Sequence, residues 1–307
     1  HDAVLKAAET LGHWGAQVTY VEPDSSGHIT PDALEEVLTD RVLLVSIMAV
    51  NNEVGSVMDI PALAAVAHKA GALFHVDATQ AFGKIPVSVK EWGVDALSIS
   101  SHKIGGPKGM GALYVKARTP FTAQIVGGGQ ESGRRSGTQN VMGAVGFAAR
   151  AALANLNENA QRLRVLRDEC YARLLENPKV KAAVSVEPGT TAFAPHVVNV
   201  LVRGMESETL ILQLDRRGFC VSGGSACSSH SLNPSHVLKA IGVSRDDALG
   251  SLRVSLGRRA WCIHQSVQRC GWLGRYNKDE KKRGRQWVPS SLLQENAHGI
   301  SNSTHPH

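Results

Sequence analysis

Apolar positions along the chain alternate between two periods, one suited to helices lying on a core and one to short strands buried on both faces. Residues 3–14 carry apolar side chains at helical spacing, 17–21 read as a strand, and 31–38 open a helix with Thr30 as N-cap. A continuous apolar strand follows at 42–48. Pro61 stands in the first turn of the helix predicted over 62–70, Gly71 ends it, and 72–76 is a further buried strand. Strands at 95–100 and 111–115 complete the set. Helices alternating with such strands predict an α/β fold with a mostly parallel sheet covered on both faces. Ligands of these sheets gather beyond the carboxyl ends of the strands. That rule singles out Asn51, Asn52 and Glu53, then Asp77 to Gln80, then Ser100 to Lys103.

The second half has a different texture. One long helical stretch is expected over 143–175, then a strand at 197–202 and a helix at 206–216, which suggests a smaller α+β domain. The organisation read from this pattern is a large domain over 1–148, a small C-terminal domain over 149–258, and a tail over 259–307 where apolar periodicity stops. The tail is expected to be disordered, because it has little apolar surface to offset its ordering entropy.

Composition narrows the function classes. With 307 residues, 43% of them hydrophobic, the chain can bury a sizeable core. Its five cysteines form no C-x-x-C pair and no regular framework, so neither a metal site nor a disulfide scaffold is favoured, and a reducing, cytoplasmic setting fits. No secretory leader is read at the start, and the 42–50 run is too short for a bilayer, which needs about 20 apolar residues. The net charge of +6 is concentrated near Lys281, Lys282, Arg283 and Arg285, where no base-stacking aromatics are interleaved; no nucleic-acid role is expected.

Several residues stand out chemically. Lys103 lies between two strand signals among small residues that let a planar ligand approach; a desolvated lysine near other cations can attack an aldehyde, although a loop lysine is more often merely exposed. Asp77, at a buried strand end, wants a cationic partner or else caps the next helix. Cys227 sits in a Gly/Ser-rich run suited to an exposed, reactive thiol, while Cys170 and Cys220 read as buried hydrophobes. The glycine-rich stretch at 127–138, with Arg134, Arg135 and Thr138, suits an anion, and Arg253 could grip a carboxylate or form a surface ion pair.

In combination these stretches resemble the cysteine desulfurase family, within the class V aminotransferase group of fold type I pyridoxal-phosphate enzymes. The motifs VNNEVG at 50–55, HVDATQ at 75–80, SSHK at 100–103, RSGT at 135–138 and SGGSAC at 222–227 occur in family order, and the likeness extends from His1 to Arg258. The resemblance implies that Lys103 holds the cofactor, Asp77 pairs with its pyridine nitrogen and Gln80 bonds its ring oxygen. It also implies that Asn52 faces the ring, His1 stacks on it, and Ser100 and His102 hold the phosphate. Thr138 would reach a partner subunit's phosphate in a homodimer, and Arg253 with Asn52 would bind the substrate. Cys227 would take sulfur from L-cysteine as a persulfide and pass it to an acceptor such as an iron-sulfur scaffold. Selenocysteine lyase is an alternative, as is a non-catalytic fragment that keeps the fold but binds the cofactor poorly. Against the family pattern the chain opens at a histidine that members carry inside the large domain, so the upstream strand and phosphate loop are expected to be missing. The tail after Arg258 is expected to be unrelated to the family's closing helix.

Overall fold

The computed structural model describes residues 1–153, 156–224 and 234–257. In chain order the elements are α1 (Asp2–His13), α2 (Pro31–Val37), β1 (Leu44–Met48), α3 (Ile60–Lys69), β2 (Leu73–Asp77), α4 (Val89–Trp92), β3 (Ala96–Ser100), a 3-10 turn (Ser101–Ile104) and β4 (Gly111–Val115). A second 3-10 turn (Glu131–Gly133) precedes α5 (Val141–Ala152) and α6 (Leu156–Leu175). Then come β5 (Val180–Ala182), β6 (Val197–Val202), α7 (Ser207–Asp215), α8 (His236–Ala240), α9 (Arg245–Leu249) and β7 (Ser251–Ser255).

The first sheet runs β1-β2-β3-β4, with the first two pairings parallel and the last antiparallel. Local chemistry sets the helix starts that cover it. Thr30 accepts from the Ala33 amide at 3.1 Å to cap α2, and Asp59 does the same for Ala62 at the start of α3. Ile60, Leu63, Ala64 and Ala67 recur at helical spacing along α3 and pack on Val45, Ile47, Phe74, Val76 and Leu97 of the sheet. Gly71 then turns the chain at φ +81°, a conformation open to glycine because it lacks a Cβ.

The second sheet, β5-β6-β7, is antiparallel, and every residue of β6 is buried. Its core includes Val184, Leu201, Leu238 and Ile241. Backbone bonds from Val57 to Ala192 and from Ala194 to Gly55 join the turn after β1 to the segment entering β6. No helix among the described residues is long and apolar enough to cross a membrane.

Three expectations need correction. The stretch at 17–21 forms no strand: Val18 and Tyr20 are exposed, and no described neighbour completes a ladder there. The helical run over 143–175 is two helices, because α5 packs on the Ser101–Ile104 turn whereas α6 packs on β5 and β6, and one straight rod could not serve both. Cys220 is exposed, while Cys170 is buried as expected. The tail over 259–307 lies outside the described residues.

Candidate active site

Because β1, β2 and β3 are parallel, their carboxyl ends share one edge of the sheet. The register places Met48 beside Asp77 and Asp77 beside Ser98, so the Asn51–Asn52 turn, Asp77 and the Ser100–Lys103 segment are neighbours. Asp77 is partly buried, and its Oδ1 accepts from the Thr79 amide at 2.9 Å. No described hydrogen bond uses its other oxygen. Ser100 Oγ and His102 Nδ1 lie 2.7 Å apart. Burial, then Lys103, Lys108 and Lys84, hold the His102 imidazole below its ordinary pKa, which favours the neutral ring.

Lys103 owes its place to α5. An added Cβ at Gly146 would stand 2.7 Å from Pro107, and one at Gly143 2.6 Å from Met110 Sδ, so these glycines let the helix lie directly on the segment that follows the lysine. Arg150 then donates from Nε and Nη2 to the Ile104 carbonyl at 3.1 and 2.7 Å, pinning the 3-10 turn. From the second sheet, Arg253 exchanges backbone bonds with Ser222 and sends Nη1 to the Asn52 carbonyl at 2.8 Å. The two residues expected to bind substrate, 201 positions apart in sequence, are thereby in contact.

Two further side chains enter that motif reading missed. Lys84 follows Gly83, whose added Cβ would lie 2.6 Å from the Ile104 side chain, so the lysine's backbone runs beside the Lys103 turn. Burial, and then the charges of Lys103 and Arg253, push Lys84 down to about 8. His196 is buried, and its Nε2 lies 3.2 Å from Gln80 Oε1. A lysine partly buried in a turn and a histidine just ahead of an apolar strand have no periodic signature; the hint was a polar residue abutting the VVNVLV run at 197–202.

His1 and Thr138 have no described bond to this group. His1 caps α1, its Nδ1 accepting from the Ala3 amide at 3.1 Å, and it makes no described bond to the other candidates. Thr138 is exposed just ahead of α5. Cys227 lies outside the described residues; after it, Ser235 Oγ donates to Glu53 Oε2 at 2.5 Å, and before it, an added Cβ at Gly224 would lie 3.1 Å from the same oxygen.

The donor set fits pyridoxal phosphate. An acid at one strand end can face a protonated pyridine nitrogen, an amine at the next can reach an aldehyde, a carboxamide can meet the ring oxygen, and a hydroxyl–imidazole pair suits a phosphate. Ser101 Oγ and His196 Nδ1, both buried, have no hydrogen-bond partner among the described residues. Buried polar atoms left in that condition mark a site arranged around something further.

Comparison with known proteins gives the family. The profile of the class-V aminotransferases matches residues 1–261. A cysteine desulfurase IscS of Edwardsiella ictaluri is 45% identical over 262 residues, covering 84% of this chain and 63% of that protein. A cysteine desulfurase IscS of Methanosarcina thermophila is 41% identical over 260 residues, covering 84% and 63%. Among solved structures, a NifS-like protein superposes with a TM-score of 0.78 at 35% identity, covering 89% of this chain and 71% of that one. SspA in complex with cysteine gives 0.70 at 32% identity, covering 83% and 71%. The chain thus spans slightly less than two thirds of the length of the curated relatives it matches.

Proposed function

Since the chain belongs to the aminotransferase class-V family, we propose that it carries the chemistry of a pyridoxal-phosphate-dependent cysteine desulfurase. The observation that carries this reading is the placing of Asp77 at the carboxyl end of β2 and of the Ser101–Ile104 turn, with Lys103, directly after its parallel neighbour β3, while Arg253 bonds the Asn52 turn beyond β1. When bound, the cofactor supplies an electron sink that labilises bonds at the substrate's carbon skeleton. Lys103 contributes the amine that holds the cofactor and afterwards a base for moving the substrate proton. Asp77 keeps the pyridine nitrogen protonated, and Gln80 donates to the ring oxygen. Ser100 and His102 hold the phosphate, the neutral imidazole leaving a proton to donate. Arg253 takes the carboxylate of L-cysteine in a two-pronged ion pair, with Asn52 beside it.

The Cys227 thiolate then attacks the substrate sulfur. A sulfur–sulfur bond would form as the carbon–sulfur bond breaks, its electron pair going to the substrate carbon, which takes up a proton, so that L-alanine leaves while the terminal sulfur stays on Cys227 as a persulfide. A soluble acceptor protein, such as an iron-sulfur scaffold, would take that sulfur in a reducing, cytoplasmic setting. Glu53, which accepts from Ser235, ties the chain after the Cys227 segment to the Asn52 turn. His1 is assigned to stacking on the ring and Thr138 to a neighbouring subunit's phosphate. The exposed Val141, Met142 and Val145 on α5, directly after Thr138, suit burial against a second copy.

The decisive experiment is an absorbance spectrum after incubation with pyridoxal phosphate. Wild type should develop a visible band that Lys103→Ala lacks, and sulfide released from L-cysteine in the presence of a thiol reductant, which reduces the persulfide, should vanish in Cys227→Ser. A folded protein with no Lys103-dependent band refutes the proposal. Amino-group transfer that survives Cys227→Ser with no sulfide released would point instead to transamination.

A further inference from the structure

His196 lies between the two sheets, on the segment that enters β6. Its carbonyl accepts from the Leu256 amide at 2.8 Å, the Ala194 amide donates to Gly55, and Arg167 Nη1 donates to the Phe193 carbonyl at 2.7 Å, so the backbone carrying the ring is held from three directions. The residue is 3% exposed, and its Nε2 makes the 3.2 Å contact with Gln80 Oε1. Burial, followed by the charges of Lys84, Arg253 and Lys103, holds the imidazole well below its ordinary pKa, so the ring is neutral and has a single N–H.

That single proton has two possible homes, and Nδ1 has no described partner in either case. A buried orphan N–H is rarer and costlier than an under-used acceptor, and a carbonyl oxygen can only accept. Both arguments place the proton on Nε2. The bond then runs from His196 Nε2 to Gln80 Oε1, which commits the carbonyl end of the carboxamide and leaves its NH2 end for a different partner.

A carboxamide free to rotate presents oxygen as readily as nitrogen, because the two ends are nearly the same size. Toward an anionic ring oxygen only the NH2 end is useful. We propose that His196 is a positioning residue that fixes the Gln80 carboxamide with its NH2 group directed at the cofactor's ring oxygen. This rests on the cofactor reading above. Donation to that oxygen favours its negative charge, and so lowers the pH at which the lysine-linked cofactor loses its proton.

The test is a pH titration of the visible band in wild type, His196→Leu and His196→Gln, each also placed in a Gln80→Ala background. His196→Leu should titrate about one pH unit higher than wild type, the scale on which a hydrogen bond to a charged group moves a proton equilibrium. His196→Gln, whose amide can donate to Gln80 Oε1, should return toward wild type, and with Gln80→Ala neither change should shift the band further. Coincident titrations of His196→Leu and wild type would overturn the role of His196 while leaving the cofactor site standing. So would an equal shift with and without Gln80. Absence of a Lys103-dependent band in wild type would overturn both. Nitrogen NMR of the cofactor-free wild type reads the tautomer without any variant: an Nε2–H imidazole supports the proposal, and an Nδ1–H imidazole sinks it.

Discussion

Lys84 illustrates how a single buried charge costs the empty fold stability. With its ammonium near Lys103 and Arg253 and partly withdrawn from water, it is pushed down to about 8. The folded chain therefore gives up a proton that the unfolded chain keeps between about pH 8 and its ordinary 10.5. The resulting penalty is complete below pH 8 and relieved as pH rises through that window. Lys84→Met should accordingly stabilise the cofactor-free protein at pH 7 by about 1–3 kcal/mol, an advantage that shrinks toward pH 10 in denaturant titrations. Phosphate, added as a simple anion, should raise the melting temperature of wild type more than that of Lys84→Met.

Among the elements, the amino ends of the parallel strands β2 and β3, opposite the candidate site, are held by groups that do no chemistry. Burial would push the Asp95 carboxyl up, but His68 of α3 at 2.7 Å, the Phe74 amide of β2 at 2.9 Å and Lys116 beyond β4 at 3.3 Å together hold it below the usual carboxylate range. Its contribution is present above the unfolded-state pKa and is lost as pH falls through the lower, folded value. Asp95→Asn should cost about 1–3 kcal/mol at pH 7 and nothing comparable in strong acid, as urea midpoints would record. On the other sheet, Arg167 is fully buried in α6, paired with Asp168, and donates to the carbonyls of Thr190 and Phe193. Arg167→Met should cost about 2–4 kcal/mol by leaving those carbonyls and Asp168 without their donor. It should also loosen His196, and so reproduce part of the His196→Leu titration shift. The elements themselves were largely legible: apolar runs gave β2, β3, β4 and β6 to within a residue or two, while the reading at 17–21 failed because strand propensity without a neighbour satisfies no backbone bonds.

For the molecule as a whole, the proposed association would bury the exposed apolar side chains at the start of α5. Val145→Asp should shift a dimer toward monomer in sedimentation velocity, with the secondary structure unchanged by circular dichroism; a wild type that is monomeric at all concentrations would refute that reading. The sequence by itself determined the alternation of helices and apolar strands, hence the mostly parallel sheet, though not the exposure of Leu44 in β1 and of Leu113 and Tyr114 in β4, and with it the edge where Asn52, Asp77 and Lys103 collect, because strand period and the right-handed return of parallel strands leave few arrangements. Tertiary structure alone decided the partnerships across that edge. Arg253 meets Asn52, His196 meets Gln80, and Lys84 comes up beside Lys103, contacts made over long sequence separations and governed by the burial of polar groups. No local period encodes such a contact, since what selects it is the cost of leaving a donor or a charge unmatched once water has gone.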